Sequence, residues 1–233
     1  MNFFNLLLFK RIYQKLTGVF YTISYAQTGE DIIIDFLIRA RKVKNFTYLD
    51  IGANHPVKLN NTYKFYEQGY RGGCVEPDPH LFANLMTTRK RDTCLNVGVA
   101  GIAKSAADFY VMENPLLNTF SKEEAEMTER DHYSKIKHVI RVPLKTVEEI
   151  IDTHFAGKAP IFINLDVEGL DEEIIQGFPF QKYRPSIFCI ETVHCTSNAT
   201  SEKRIEIMEL MKSKGYVVFA DTYVNTIFID AGF

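Results

Sequence analysis

The apolar positions of the chain follow two patterns, short runs typical of buried strands and repeats every three or four residues typical of helices. The short runs predict five core strands: Phe46–Ile51, Gly73–Val75, Cys94–Val99, Ile161–Asp166 and Ser186–Glu191. Helical patterns alternate with them: a helix opening at Thr28, then Asn60–Gln68, Leu81–Arg89, Lys145–Phe155, Leu170–Gln176 and Ser201–Lys214. This alternation predicts an α/β domain with a mostly parallel sheet and crossover helices.

Three further segments lie outside this alternation. Ala107–Met112 has the pattern of an extra strand. Glu113–Val139 is polar and rich in charge, which predicts a short helix and a mobile loop able to act as a lid. Two last strands, Tyr216–Ala220 and Thr226–Ile229, are joined by the short connection Asp221–Asn225, so we expect an antiparallel hairpin at the end of the sheet.

The first helix of the domain carries a capping signal. Thr28 can cap its N-terminus. Its apolar residues predict a buried face made of Ile32, Ile33, Phe36 and Leu37.

Residues 1–24 are predicted to form an amphipathic helix and a linker, and residues 25–233 a single domain. Phe4, Leu8, Ile12 and Leu16 repeat every fourth residue, with Lys10, Arg11 and Lys15 among the positions between them. One interpretation is a helix packed on the domain or on a second subunit of a homo-oligomer. The other is peripheral contact of Met1–Leu16 with the inner face of a membrane, with basic side chains reaching the head groups. The apolar stretch is too short to span a bilayer, and its charge follows rather than precedes it, unlike a signal peptide.

Composition narrows the class of partner. The 233 residues are 46% hydrophobic and 24% charged with a formal net charge of −2, which is ordinary for a globular protein and does not favour nucleic acid as a partner. The basic runs Lys42–Lys44 and Arg89–Arg91 are predicted to be solvated surface. No C-x-x-C pair is present, so the spacing of the four cysteines offers no zinc site: Cys74, Cys94, Cys189 and Cys195. Three of the four lie within apolar runs, and we expect these to be buried thiols of a cytoplasmic protein.

Acidic residues end four of the predicted strands: Asp50, Glu76, Asp166 and Glu191. Ligands of open α/β sheets bind beyond the carboxyl ends of the strands. Each acid alone is compatible with a helix cap or a turn. Together they predict the rim of one cleft.

The first of these strand ends carries a glycine turn, Leu49-Asp50-Ile51-Gly52-Ala53-Asn54. Gly52 permits a tight turn, and Asn54 tolerates left-handed backbone angles. The G-x-G-x-x-G fingerprint of dinucleotide sites is absent, which favours S-adenosylmethionine over NAD, since the former has no pyrophosphate. Glu76 follows Gly52 at the end of the next strand, where an acid accepts hydrogen bonds from ribose hydroxyls. Asp50, Gly52, Asn54, Glu76 and Pro77 are therefore the predicted cofactor-binding residues.

A family resemblance joins these motifs. The matching stretches are Tyr25–Asp31 (YAQTGED), Tyr48–Pro56 (YLDIGANHP), Asn61–Tyr63 (NTY), Gly72–Pro77 (GGCVEP), Leu165–Gly169 (LDVEG), Arg184-Pro185 and Ile190-Glu191. In this order they resemble the FkbM-type methyltransferases. The resemblance implies a Rossmann-like class I methyltransferase fold, with a mostly parallel seven-stranded sheet, a terminal antiparallel hairpin and helices on both faces. It also implies methylation of a hydroxyl with S-adenosylmethionine, often on sugars of cell-surface polysaccharides or on secondary metabolites.

The catalytic residues are expected near the fourth and fifth strand ends. In the fold that the resemblance implies, Asp166 and Glu168 face the methyl group and the acceptor, and they share a side if the strand continues through them. His194 is the first candidate for a general base, and His55 the second. Asp166, Glu191 and His194 also form a hypothetical site for Mg²⁺ or a similar ion.

The sequence thus predicts a methyltransferase that acts on a sugar or other small-molecule hydroxyl. Two alternatives stay open at this stage. One is an oxidoreductase that modifies nucleotide sugars on a similar fold. The other is a non-catalytic regulatory protein that binds an adenosine ligand.

Overall fold

The computed structural model describes residues 12–13, 15–19, 21–167, 169–195 and 201–233, without the side chains of residues 194, 195, 201 and 202. Its helices are α1 Glu30–Ala40, α2 Tyr63–Glu67, α3 Pro79–Thr88, α4 Lys122–Arg130, α5 Val147–His154, α6 Asp171–Gly177 and α7 Ile205–Ser213, with a 3-10 turn at Pro115–Leu117. Its strands are β1 Thr47–Ile51, β2 Arg71–Val75, β3 Thr93–Leu95, β4 Gly98–Val99, β5 Ala106–Met112, β6 Ile136–Lys145, β7 Phe162–Leu165, β8 Ile187–Glu191, β9 Val193–Cys195, β10 Ser201–Lys203, β11 Tyr216–Asp221 and β12 Asn225–Asp230.

Seven of these strands form the central sheet, in the order β11-β12-β8-β7-β1-β2-β3. The five strands from β8 to β3 pair in parallel. β12 runs antiparallel to both of its neighbours, β8 and β11. The predicted fold class is therefore confirmed, including the antiparallel hairpin at the end of the sheet.

The strands alternate their side chains between two helical layers. Leu49 and Ile51 of β1 point into a core shared with α5, α6 and α7. Phe46 and Tyr48 lie in a second core, which is shared with α1 and α2. This two-residue period is the one expected of a strand buried on both faces.

A smaller sheet, in the order β4-β6-β5, is inserted between β3 and α5. β6 runs antiparallel to β5 over seven residue pairs. The mobile loop predicted for Glu113–Val139 therefore does not extend to the end of this segment, because β6 begins inside it at Ile136. The predicted short helix of this segment is present as α4.

Other predicted boundaries also need correction. The strand predicted at Cys94–Val99 is divided into β3 and β4, because the Asn96 side chain turns back to bond the carbonyl oxygens of Glu76 and Pro77. The helix expected from Ser201 begins at Ile205, because Ser201–Lys203 pairs with β9.

The start of α1 differs from the prediction as well. Gly29 is the N-cap residue, at φ +90°, so Thr28 does not cap the helix. Thr28 instead donates its hydroxyl proton to the Glu30 carboxylate. Phe36 is exposed, while Ile34 and Ile38 are buried with Leu37. The helix is therefore rotated from the predicted face.

Two predicted surface features have different outcomes. Arg89 is completely buried, so its assignment to solvated surface was wrong. Cys74 and Cys189 are buried free thiols and Cys94 is half-buried, while the side chain of Cys195 lies outside the described residues.

Most of Met1–Leu16 lies outside the described residues. Residues 12–13 and 15–17 are helical, and Ile12 and Leu16 are 48% and 80% exposed. The interpretation of this segment as a contact with a second subunit or a membrane stays a prediction. None of the helices in the described ranges combines the length and apolar character needed to cross a membrane.

Candidate active site

The strand order reverses between β1 and β7, which is the point where open α/β sheets bind their ligands. A cavity of about 440 Å³ lies there, beyond the carboxyl ends of β1, β2, β7 and β8. Asp50, Glu76, Asp166 and Glu191 all line it. The four strand-end acids of the sequence are thus gathered around one cavity.

The turn after β1 forms one wall of the cavity. Gly52 and Asn54 adopt left-handed conformations, with φ of +81° and +46°. The Gly52 amide donates to the carbonyl oxygen of Val75 at 3.0 Å. A Cβ atom on Gly52 would overlap the carbonyl oxygen of Asp166. Only glycine fits this position, because the loop after β7 packs directly on the turn.

Glu76 lies at the end of β2 and is almost completely buried. Its Oε2 accepts a hydrogen bond from the Asn54 amide at 2.7 Å, and its Oε1 from the Asp78 amide at 2.8 Å. Burial raises the pKa of Glu76 to about 8, although both amide bonds favour the charged form. Each carboxylate oxygen has a second lone pair for a hydroxyl donor from the cavity. Pro77, the next predicted binding residue, also lines the cavity.

Asp50 has a different environment, because polar side chains of the protein surround its carboxylate. Oδ1 accepts from Asn164 Nδ2 at 2.9 Å, and Oδ2 accepts from Thr62 Oγ1 at 2.7 Å and Asn60 Nδ2 at 3.1 Å. Burial raises the pKa of Asp50, and these hydrogen bonds oppose that rise. Asp50 lines the cavity, but most of its hydrogen-bonding capacity is used within the protein.

Behind Asp50 lies the buried Arg89 guanidinium. Its Nη2 donates to Thr62 Oγ1 at 2.9 Å, its Nη1 to Asn60 Oδ1 at 3.2 Å and its Nε to Asp92 Oδ2 at 2.8 Å. Arg89 therefore fixes two of the three side chains that bind Asp50. Sequence reasoning missed this network, since its members are distant along the chain and a basic run is typical of surface.

Asp166 lines the same cavity as Glu76 and lies directly after β7. The strand ends at Leu165, so the argument that strand alternation places Asp166 and Glu168 on one side does not hold. The Asp166 carboxylate makes no hydrogen bond to any residue in the described part of the chain. Burial, and then the charge of Asp171, raises the pKa of Asp166 to about 7. A carboxylate with this pKa can accept a proton near neutral pH.

The other predicted catalytic residues are only partly described. Glu168 lies outside the described residues, and so does the side chain of His194, whose backbone belongs to β9. The described residues contain no group of three or more His, Cys, Asp and Glu side chains able to hold a metal ion. The Mg²⁺ site of Asp166, Glu191 and His194 stays a hypothesis, because it includes an undescribed side chain.

His55, the second candidate base, is not among the described residues that line the cavity. Its Nδ1 accepts hydrogen bonds from the amides of Val57 and Lys58, at 3.1 and 2.9 Å. Desolvation and the charge of Lys58 lower its pKa. His55 therefore stabilises the loop after the glycine turn in this structure.

The cavity wall also contains residues that the sequence did not indicate. Arg204 and Glu124 line it together with Tyr223, which has φ +76° in the turn between β11 and β12. No motif distinguished them, since they come from three separate parts of the chain: α4, the residue before α7, and the turn between β11 and β12.

Comparison with known proteins gives the following matches. No curated protein matches the chain significantly in sequence. Similar solved structures include a TehB-like SAM-dependent methyltransferase from Corynebacterium glutamicum, 10% identical, with 96% of each chain covered and a TM-score of 0.47. Another is precorrin-6y C5,15-methyltransferase from Geobacter metallireducens, 13% identical, covering 91% of this chain and 94% of the other, with a TM-score of 0.42. A third is an O-methyltransferase from Bacillus cereus in complex with SAH, 11% identical, covering 98% and 88%, with a TM-score of 0.41. Scores this low carry no argument about activity.

The family comparison is more informative. The methyltransferase FkbM domain matches residues 50–218, from the end of β1 into β11. This range contains the glycine turn, Glu76, Asp166 and the inserted sheet. The match sets aside the oxidoreductase and the non-catalytic alternatives. The chain belongs to the FkbM methyltransferase domain family and is an S-adenosylmethionine-dependent methyltransferase.

Proposed function

We propose that the protein transfers the methyl group of S-adenosylmethionine to a hydroxyl group of a sugar. The observation that carries the proposal is the Asp166 carboxylate. It lines the cavity, has no hydrogen-bond partner among the described residues and has a pKa raised to about 7. A hydroxyl needs a proton acceptor during or after its attack, and such a carboxylate provides one near neutral pH.

The donor end of the cavity fits the adenosine part of S-adenosylmethionine. The Glu76 carboxylate has free lone pairs at the end of β2, and the left-handed turn of Gly52 and Asn54 leaves backbone close to the cavity. We assign Glu76 to the ribose hydroxyls and Gly52, Asn54 and Pro77 to the surrounding wall. We assign Asp50 to orienting the turn and Asn164. It does not provide the main contact to S-adenosylmethionine, because its oxygens already accept three hydrogen bonds.

S-adenosylmethionine, when bound, supplies a methyl group activated by a sulfonium leaving group. The remaining work of the protein is alignment and proton removal. Alignment of reacting groups contributes up to about 7–11 kcal/mol in favourable intramolecular reactions. Proton transfer to a positioned base adds about 10²–10⁴-fold. Asp166 is our first candidate for this base, with Glu168 and His194 as the other catalytic candidates of the site.

The inserted segment covers the cavity. Pro115, Leu117 and Phe120 line it, and Asn54 Nδ2 donates to the Pro115 carbonyl oxygen at 3.0 Å. This contact connects the donor turn to the insert. We propose that the insert excludes water from the bound reactants, in place of the mobile lid expected from the sequence.

Methyl transfer from labelled S-adenosylmethionine to a panel of methyl glycosides tests the proposal, with the methylated position assigned by mass spectrometry and NMR. We expect Asp166→Asn to lower kcat by about 10²-fold or more, because the base is lost. Its affinity for S-adenosylhomocysteine should be unchanged. Asp108→Asn, on an exposed strand position, is the matched control and should retain full activity.

The wild-type rate should also rise with pH through about pH 7, as Asp166 loses its proton. Methylation of a nitrogen or carbon acceptor by the same site would contradict the proposal. Full activity of Asp166→Asn would transfer the base role to Glu168 or His194. Loss of activity on chelation, with recovery on addition of Mg²⁺, would instead favour the metal hypothesis.

A further inference from the structure

Arg204 is a buried cation at the acceptor side of the cavity. It is the residue before α7, it is 7% exposed, and its amide donates to the Thr192 carbonyl oxygen at 2.9 Å. Its side chain lines the cavity wall. The start of α7 and the end of β8 thus fix its backbone next to the site.

The Arg204 guanidinium lacks hydrogen bonds to the described residues. Nη1 lies 3.9 Å from Asp171 Oδ2, and Nη2 lies 3.9 Å from Glu124 Oε1, both beyond hydrogen-bond distance. Its Nε and the Asp171 Oδ2 atom are both buried without a partner. Buried polar atoms are nearly always hydrogen-bonded, and a buried polar atom without a partner is unfavourable. The guanidinium therefore keeps donors for a molecule bound in the cavity.

The acids around Arg204 indicate the chemistry of that molecule. Glu124 and Asp166 line the same cavity as Arg204 and offer acceptor oxygens, while the guanidinium offers only donors. An anionic group would meet both of these carboxylates. An apolar group would leave the donors unpaired. A hydroxyl both donates and accepts, so a pair of neighbouring hydroxyls satisfies the guanidinium and a carboxylate together.

An aromatic ring lies on the same side. Tyr223 lines the cavity and is 62% exposed, at a backbone angle that is rare for a bulky residue. Asp221 Oδ1 accepts from the Tyr223 amide at 2.8 Å and from Lys203 Nζ at 2.6 Å. Lys203 precedes Arg204, so this carboxylate ties the Tyr223 turn to the Arg204 backbone.

We propose that Arg204 determines acceptor specificity, by donating hydrogen bonds to two neighbouring hydroxyl oxygens of a neutral sugar, while Glu124 accepts from one of those hydroxyls. The inference rests on the proposed function and names the feature of the acceptor that the site recognises: a diol beside the methylated hydroxyl. Asp171 holds the guanidinium from behind. Its Oδ1 accepts from the Val167 amide at 3.2 Å, which connects Arg204 to the loop that carries Asp166.

The test compares methyl glycosides of glucose, mannose, galactose and rhamnose with their monodeoxy analogues as acceptors. The enzymes compared are the wild type, Arg204→Gln, Arg204→Lys and Glu124→Gln. For the wild type, we expect kcat/KM to fall about tenfold or more when a hydroxyl beside the methylated position is removed. Arg204→Gln should raise the acceptor KM by about the same factor and no longer discriminate the deoxy analogue. Arg204→Lys keeps the charge but lacks the planar fork, so it should show the same loss and replace the glutamine variant if that one does not fold.

Affinity for S-adenosylhomocysteine is the folding control for every variant and should stay within about threefold of wild type, since Arg204 lies on the acceptor side. Arg141→Gln, which removes an exposed ion pair with Asp108, is the matched arginine control. A structural role of Arg204 would lower stability but leave the discrimination between parent and deoxy glycosides intact, and that result overturns the inference alone. A wild type that methylates none of the glycosides overturns the proposed function, and the inference with it.

Discussion

At the scale of single residues, Glu76 has the most informative titration. Its pKa is raised to about 8 by burial, so without ligand the carboxyl holds its proton at neutral pH. Ribose hydroxyls donate to the carboxylate and therefore favour the charged form. Binding of the donor should release a proton below about pH 8, and affinity should rise as pH increases toward that value and level off above it.

Calorimetric titration with S-adenosylhomocysteine from about pH 6 to about pH 9 checks this expectation. Glu76→Gln cannot titrate, so its affinity should be weaker by about 1–3 kcal/mol and independent of pH over this range. The raised pKa of Glu76 also lowers stability. Above the ordinary pKa of 4.5, the unfolded state has released this proton, while the folded state still holds it. The free energy of unfolding of the ligand-free wild type should therefore fall as pH rises from about 4.5 to about 8, and more steeply than that of Glu76→Gln.

Gly52 provides a second test at this scale. Gly52→Ala combines a φ of +81° with overlap of its Cβ and the Asp166 carbonyl oxygen. Gly69→Ala is the matched control, since its φ is +98° but no atom lies within 4 Å of the new Cβ. The left-handed conformation alone costs about 1–2 kcal/mol, so urea unfolding should show about that loss for Gly69→Ala. Gly52→Ala should lose clearly more, and equal losses would mean that the loop after β7 moves away without cost.

At the scale of elements, buried Arg89 joins the end of α3 to β1 and to the start of α2. Arg89→Met removes one partner of a buried ion pair with Asp92 and leaves Thr62 and Asn60 without their donor. Such a change typically costs about 3–5 kcal/mol. Urea unfolding should show this loss, whereas Arg141→Met on the exposed face should change stability by at most about 1 kcal/mol. A loss of less than about 1 kcal/mol for Arg89→Met would contradict a role in stabilising these elements.

The core strands could be predicted because they are buried on both faces and are therefore continuous apolar runs. β6 was missed because most of its residues are exposed or half-buried and several are charged, so its sequence has the composition of a loop. β10 was missed because Ser-Glu-Lys directly precedes an amphipathic helix and resembles its first turn. In α1, apolar residues at neighbouring positions make two different faces of the helix candidates for burial. Only packing against the rest of the domain selects the face that contains Ile34 and Ile38.

The residues of the candidate site could also be predicted only in part. Strand-end acids could be found because a parallel sheet brings the carboxyl ends of its strands to one edge. The partners of Asp50 could not, because Asn164 lies 114 residues away and only the fold brings the two together. Arg204 was missed for a related reason: its neighbours Glu124 and Asp171 come from an inserted helix and from α6.

At the scale of the whole molecule, one cavity joins a donor end and an acceptor end across the reversal in strand order. All five line this cavity, and we assign Glu76 and the Gly52 turn to the donor end and Asp166, Arg204 and Glu124 to the acceptor end. The 3-10 turn and α4 of the inserted segment contribute to both ends, since Pro115 contacts Asn54 and Glu124 faces Arg204. Substitutions at the two ends should therefore separate donor affinity from turnover.

The central claim, that this cavity binds S-adenosylmethionine through Glu76, is tested most directly by titration calorimetry with S-adenosylhomocysteine at about pH 8, together with thermal unfolding. We predict one site per chain and a rise in Tm that corresponds to about 2.7 kcal/mol of stabilisation at a ligand concentration of about 100 times Kd. Glu76→Ala should remain folded and bind about 1–3 kcal/mol more weakly. Absence of binding heat and of a Tm shift in the wild type, or equal affinity of wild type and Glu76→Ala, would contradict the claim.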